Sequence, residues 1–544
     1  MKKLVSRFMA VLMAMAMILS MSMTAFAAED ATRLTGTGKL TVNNTAEGKT
    51  LDLYQIFTAT KNEAGNVAYT LNPEYEEFFQ ANIHGASALT SEALSEAAYN
   101  YVKTQVGEDG KNGVNFAKAM LTWILSNTSA VDATHKTVIT ATGSTEIDNL
   151  AYGYYVVYPL GATDTSAAPG TGQDYTSVAS LVSVTDTNAT VNMKSNYPTV
   201  VKKVNDKNAD DVNIGDEVTY TLTSKVPDMT GYNSYVFNFK DTLSAGLTFK
   251  GITSVTVGSG KNVQNVTAGT GDNTYTLTQD GQNITITMNN FLASNANKAG
   301  QEIKVTYTAT LNKNAVTGFD ANKNSATIEY SNNPGTTDKG ESEPSIVDVH
   351  TFNFTIFKYY LKGADKTALA KAEFELYKAN GAGNAADENA KINIVDEGKG
   401  VYRQATADEA KTTDFTSAKI VSDDDGKVLV KGLDAGTYYL RETKAPDGYN
   451  KLLSDIKVEI KPVYDQTTGK LTSYSVDYTY NGTTTTGTAI TSKDNSPEVA
   501  VENKTGAQLP STGSKGALMV TLAGIVLFGV LTASKAFSKK KAKN

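Results

Sequence analysis

From about residue 198 to residue 505 the chain alternates apolar and polar residues in short runs, and Gly, Asn and Asp break the runs. A period of two puts every second side chain on one face of a strand, so such runs can bury one side only within a sheet. The runs at 217–225, 235–240, 247–257, 273–278, 283–288, 302–311 and 325–330 come at the spacing of a β-sandwich. A further set lies at 351–359, 372–377, 427–430, 437–442, 454–461 and 474–480. The 28 tyrosines and the abundant threonine favour half-buried strands. There is no cysteine. No disulfide can therefore staple these sandwiches, and thiolate metal sites, iron–sulfur clusters and cysteine nucleophiles are excluded.

Residues 28–197 read differently. Strand-like patterns at 39–42 and 51–57 give way to apolar residues at helical spacing over 74–82, 91–106 and 115–126, with Ser91 as the candidate N-cap. Strands resume at 136–141, 153–158, 177–185 and 190–194. The expectation is a mainly β chain of tandem immunoglobulin-like sandwiches over 28–197, 198–349 and 350–505, the first with a helical insertion. The stretch 332–345, rich in Pro, Gly, Glu and Thr, is expected to be a linker, and the polar segment 379–425 a long insertion.

The two ends stand apart from the sandwiches. Residues 1–27 open with Lys2, Lys3 and Arg7, continue as an apolar run and close with Ala25-Phe26-Ala27, the pattern of a secretory signal peptide. Residues 506–544 hold Leu509-Pro510-Ser511-Thr512-Gly513, then an apolar stretch over 516–534, then Lys535, Lys539, Lys540, Lys541 and Lys543. An apolar helix of that length crosses one bilayer, and the basic tail stays on the cytoplasmic side. Without the bases of these two ends, 41 bases face 57 acids over 28–512. That excess argues against a nucleic-acid partner.

Leu509 to Gly513, followed by a span and a basic tail, resembles the LPXTG sorting signal of Gram-positive surface proteins. The resemblance implies that a sortase cleaves between Thr512 and Gly513 and passes the Thr512 carbonyl to an amine.

Two stretches place charges where apolar neighbours point. Tyr438, Leu440 and Glu442 share one strand face, as do Phe352, Phe354, Ile356 and Lys358. A lysine and a glutamate turned into a core are costly unless paired or neutralised. A buried ion pair would satisfy both. The run from Tyr438 to Tyr449, with Glu442-Thr443, Ala445-Pro446 and Gly448-Tyr449, resembles the E-box of Gram-positive pilins and their CnaB-type domains. Residues 354–358 and 371–377 resemble the opening of the same domain. The resemblance implies an intramolecular isopeptide bond between Lys358 and Asn503, on the last strand 499–503, with Glu442 as proton shuttle. Burial would free the lysine amine as a nucleophile, and a protonated glutamate would polarise the carboxamide.

In the second region Val200, Lys202 and Val204 share a face, so Lys202 points inward and Lys203 outward. Asp241-Thr242-Leu243 ends a strand in a pattern similar to fimbrial isopeptide domains, and 322–334 resembles their final strand. By position, the resemblance implies that Lys202 bonds Asn324, with Asp241 as the acid and Asn322 as the alternative acceptor. Each bond would join the first strand of a domain to its last.

The first region resembles the N-terminal domain of backbone pilins at 38–42, 54–57 and 153–157, and no third crosslink is assigned there. Asp206, Asn208, Asp210 and Glu217 echo a calcium loop, but position six is Asp211 where glycine is needed. A solvated turn accounts for them better, so no metal or cofactor is expected. His84, His135 and His350 have no ligand spacing.

Taken together, the chain resembles the sortase-assembled major pilins of Gram-positive bacteria. That implies a secreted, wall-anchored shaft subunit supporting adhesion. It is not an enzyme beyond reaction on itself. Its partners would be sortase, neighbouring subunits, peptidoglycan and host surface ligands. A monomeric wall-anchored adhesin or tip pilin of the same modules is the alternative. In such pilins a lysine near the end of the N-terminal domain accepts the next subunit's threonine. Lys194 in Val191-Asn192-Met193-Lys194 holds that place, although Tyr197-Pro198 follows it where the motif has Tyr-Pro before it. Lys203 is the competitor.

Overall fold

The structure is a computed structural model that describes residues 34–505, apart from 108–112, 129, 163–178, 194–196, 230 and 335. The expected signal peptide, sorting motif, apolar span and basic tail lie outside the described residues, as does Lys194. Among the described residues no helix is long and apolar enough to cross a membrane.

The chain divides into two compact units. The first takes residues up to 208, 217–310 and 323–348; the second takes 209–216, 311–322 and 349 onward.

The first unit begins with two sheets. One holds Gly143–Ala151, Thr37–Thr45 and Ala189–Asn192; the other orders Val67–Leu71, Thr50–Lys61, Gly153–Pro159 and Ser180–Val184, with His135–Val138 beside Thr50–Lys61. Leu40, Val42, Leu53, Val157 and Val182 fill the space between the sheets. The helices Glu76–Asn82, Ser91–Val106 and Gly113–Ser126 cover the other face of the second sheet through Phe79, Leu94, Phe116 and Met120. Gly153–Pro159 is consequently buried at every position, which is why it reads as an unbroken apolar run. The helical insertion thus stands where the 3.6-residue spacing puts it. The cap position falls on Thr90, one residue before Ser91, and makes no side-chain cap bond.

The rest of the first unit is a sandwich. One sheet orders Gln264–Asn265, Leu247–Val257, Glu302–Leu311, Glu217–Lys225 and Val201–Val204. The other carries Asn322–Ser331, Phe237–Leu243, Asn283–Met288 and Thr274–Asp280. The stretch expected as a linker contains Lys339–Glu341, paired with Asn322–Ser331, and ends at the strand Ser345–His350. Its Pro and Glu content hid Lys339–Glu341, a short strand paired on one side, where such residues are tolerated.

The second unit is also two sheets. Asp365–Ala368, Phe352–Lys362, Lys427–Leu433, Val401–Gln404 and Ile394–Gly398 form one, with Glu498–Glu502 parallel to Phe352–Lys362. Ala386–Lys391, Glu373–Ala379, Gly436–Lys444, Ile456–Tyr464, Leu471–Tyr480 and Thr483–Thr485 form the other. Phe354, Phe374, Val430, Leu440, Val458 and Val499 pack between them. The segment 379–425 is not featureless: it supplies several of these strands and a short helix, Ala407–Ala410, closed by a Thr406/Glu409 capping box. Residues 209–216 also belong to this unit. Asp211 accepts from the Ala435 N–H (2.8 Å) and the Tyr464 hydroxyl (2.7 Å), and Ile214 N–H donates to Gly432 O (3.0 Å).

Candidate functional site

Among the described residues Lys202 and Lys358 are the buried lysines. Each sits in a sandwich core beside a buried carboxyl group and a buried asparagine.

In the second unit, Lys358 lies on Phe352–Lys362 and Asn503 just past Glu498–Glu502. The two strands run parallel with Lys358 opposite Val501, and the Asn503 N–H donates to Tyr359 O (2.9 Å). Glu442 comes from the facing sheet, third in the inward series Tyr438, Leu440, Glu442. Its carboxyl group lies 3.0 Å from Lys358 Nζ and accepts from Asn503 Nδ2 at 3.1 Å. The Leu452 N–H donates to the same carboxylate oxygen at 2.7 Å, and Asn503 also donates to Asn450 O at 2.8 Å. Lys358 Nζ stands 5.8 Å from the Phe374 ring centre. Burial in these walls pushes the Lys358 ammonium down to about 8, against the upward pull of Glu442.

In the first unit, Lys202 lies on Val201–Val204, and Asp241 and Asn324 lie on two adjacent strands of the opposing sheet, with Leu243 opposite Asn324. Lys202, Asp241 and Asn324 are all buried. Lys202 Nζ pairs with Asp241 Oδ2 and donates to the Tyr307 hydroxyl at 2.8 Å. That hydroxyl donates to Asp241 Oδ2 at 2.8 Å and accepts from Asn324 Nδ2 at 2.7 Å. Tyr220 stacks on Tyr307 with ring centres 5.1 Å apart, and both rings lie within about 5 Å of the ammonium. Burial pushes Lys202 down to about 8 as well, again opposed by its carboxylate partner.

Both sites leave the same atoms without a hydrogen-bond partner. These are the side-chain carbonyls Asn324 Oδ1 and Asn503 Oδ1; Asp241 Oδ1 is unpaired too, whereas Glu442 Oε1 faces Lys358 Nζ at 3.0 Å. Buried polar atoms are rarely left unpaired. Here the unpaired atoms are those an acyl-transfer reaction at the carboxamide would use.

The expected trios are thus each gathered in one core. Asn322, the alternative acceptor, is otherwise engaged: its Oδ1 accepts from the Val316 N–H (2.9 Å) and its Nδ2 donates to Val316 O (2.9 Å) and Val349 O (3.2 Å). Lys203 points out of the core and donates to Asn208 Oδ1 at 2.5 Å. That contact engages Asn208 of the calcium-like series. In the first region no described lysine is buried, and Asp52 is the buried acid there.

Tyr307 and Phe374 escaped the sequence reading. Tyr307 is on the inward face of Glu302–Leu311 with Ile303, Val305, Ala309 and Leu311, so a hydroxyl among aliphatic neighbours was the available signal. Gly426 was also missed. Its φ is +68°, its carbonyl accepts from the Lys358 N–H (2.6 Å), and a Cβ there would lie 2.3 Å from Lys358 O. Gly426→Ala is expected to cost about 1–3 kcal/mol of stability through backbone strain. It should also displace Lys358, and thermal denaturation of the purified chain measures the loss.

Residues 214–334 match the family described as Gram-positive pilin backbone subunit 2, Cna-B-like domain, and residues 359–475 match the SpaA prealbumin-like fold domain. A curated relative, the trypsin-resistant surface T6 protein of Streptococcus pyogenes serotype M6, is 28% identical over 318 residues, covering 53% of this chain and 50% of the relative. The chain therefore spans about half the length of that relative. Similar solved structures include the T6 backbone pilin of the same organism (18% identity, 89% of this chain and 100% of that one, TM-score 0.46). The pilus 2b backbone protein of group B streptococcus is another (26%, 57% and 99%, TM-score 0.41). The chain thus contains a Gram-positive pilin-backbone Cna-B-like domain over 214–334 and a SpaA prealbumin-like fold domain over 359–475.

Proposed function

We propose that this chain is a shaft subunit of a Gram-positive pilus, joined to its neighbours by sortase, anchored to peptidoglycan, and hardened by two self-made isopeptide bonds, Lys202–Asn324 and Lys358–Asn503. The observation that carries the reading is the repeated burial, in each sandwich core, of a lysine from an early strand beside a carboxyl group and an asparagine from later in the same domain. A buried ion pair alone would need no asparagine with an unpaired carbonyl in each site.

The chemistry runs on proton transfer through the acid. The lysine passes a proton to the acid, and the freed amine attacks the asparagine carbonyl carbon. The acid returns the proton to the amide nitrogen, which leaves as ammonia, and the new amide nitrogen sheds its surplus proton to the acid. Peptide mapping of the full chain by mass spectrometry tests this. Two branched peptides are expected, each lighter by one ammonia than its unjoined parts. Unjoined peptides alone would refute the bonds. A monomeric adhesin would carry the same bonds, so the ladder of covalent multimers in wall extracts decides between the two.

The pH dependence has a definite sign. Burial lowers Lys358 to about 8. Below that pH the pair holds the proton that the departing ammonia requires; above it the proton is lost. The rate of crosslinking in chain made by cell-free synthesis is therefore expected to be level near neutrality. It should then fall about tenfold per pH unit above 8. A rate that rises through pH 9 would show that free amine alone limits the reaction.

A further inference from the structure

We propose that Tyr307 is a catalytic residue of the Lys202 site, carrying the proton between Asp241 and the departing nitrogen of Asn324. The proposal rests on the isopeptide reading above and adds a step to it.

The two sites solve the same delivery problem with acids of different length. Glu442 reaches both reactants itself: it is 3.0 Å from Lys358 Nζ and accepts from Asn503 Nδ2 at 3.1 Å. Asp241 is one methylene shorter. It pairs with Lys202, but the group that meets Asn324 Nδ2 is the Tyr307 hydroxyl, at 2.7 Å, and that hydroxyl in turn donates to Asp241 Oδ2 at 2.8 Å. Tyr307 thus fills the distance the missing methylene leaves. In the glutamate site the ring beside the lysine is Phe374, which has no hydroxyl.

The Tyr220 hydroxyl also hydrogen-bonds the Asn324 side chain, but Asp241 Oδ2 is bonded by Lys202 and the Tyr307 hydroxyl, so Tyr220 has no direct link to the acid through which a proton could be replaced. Its ring instead holds Tyr307 in place by stacking. Burial and the nearby Asp241 carboxylate keep the Tyr307 phenol protonated, so it has a proton to give.

The step balances. Lys202 hands a proton to Asp241, and Nζ forms a bond to Asn324 Cγ. Tyr307 then gives its proton to Nδ2 while taking the one held by Asp241. The Cγ–Nδ2 bond breaks and ammonia leaves. The attacking nitrogen, now an amide, sheds its surplus proton to Asp241. No oxidant or cofactor enters.

The test is the rate at which the Lys202–Asn324 branched peptide appears in full chain made by cell-free synthesis and sampled over time. Tyr307→Phe keeps the ring and its stacking. It should slow this bond about a hundredfold, the lower range for a positioned proton donor, and leave the Lys358–Asn503 bond at its normal rate as an internal measure of folding. In case the phenylalanine disturbs the core, 3-fluorotyrosine placed at position 307 keeps the shape but makes the phenol more acidic. A shifted rate and pH profile support proton transfer, and an unchanged profile refutes it. A normal rate in Tyr307→Phe overturns the role of Tyr307 alone. Absence of the branched peptide from the unsubstituted chain overturns the crosslink and this step with it.

Discussion

Glu442→Ala is expected to leave Lys358 and Asn503 unjoined and to lower the melting temperature of the second unit by about 10–20 °C. Two losses combine. A crosslink closing so long a loop restricts the unfolded chain by about 4–5 kcal/mol, and about 5 kcal/mol corresponds to that shift for a domain of this size. The alanine also strands Lys358, whose buried ion-pair partner is Glu442 at 3.0 Å, and a stranded buried charge destabilises further. Glu442→Gln separates the two losses, since it still accepts from the Leu452 N–H but cannot move a proton. Both variants should lose one branched peptide and become open to protease. A melting temperature unchanged in Glu442→Ala would remove Glu442 from the chemistry. Asp241→Ala should do the same for Lys202–Asn324, and the effects should add, because the sites lie in separate cores.

Mechanics would give the proposed bond its use. Phe352–Lys362 and Glu498–Glu502 are parallel neighbours, so tension applied at the start of one and the end of the other shears their hydrogen bonds together. The proposed covalent link from Lys358 to Asn503 would carry that load past everything between them. In a chain without cysteine it would do the work of a disulfide.

What could be read in advance follows from period and polarity. Lys202 and Lys358 stood out because period-two alternation assigns each position a face, and a lysine on an apolar face contradicts its neighbours. Glu442 stood out for the same reason. Tyr307 did not, since tyrosine is at home on a half-buried strand and only its distant partners, Asp241 and Asn324, make its hydroxyl matter. The short strand Lys339–Glu341 was hidden by edge-tolerant residues. The placement of 209–216 was hidden because its partners, Gly432 and Ala435, lie more than two hundred positions along the chain. Local pattern carries no information about such pairings.

Lys194→Arg is expected to abolish the ladder of covalent multimers while leaving a folded, wall-anchored monomer. Shaft assembly needs an amine that can reach the Thr512 carbonyl of another subunit while that carbonyl is held on the sortase. Lys202 cannot supply it: the ammonium is buried and engaged by Asp241 and Tyr307. Lys203 is half-buried and donates to Asn208, so its use would first require that bond to break. Lys194 lies outside the described residues and its candidacy rests on the Val191-to-Lys194 element and on its place ahead of the second sandwich. Arginine keeps the positive charge there but offers no nucleophilic amine, so charge-dependent docking survives and transfer does not. Immunoblots of wall extracts should then show a single band for Lys194→Arg and a full ladder for Lys203→Arg. The reverse pattern would move the acceptor to Lys203, and full ladders from both would exclude the pair.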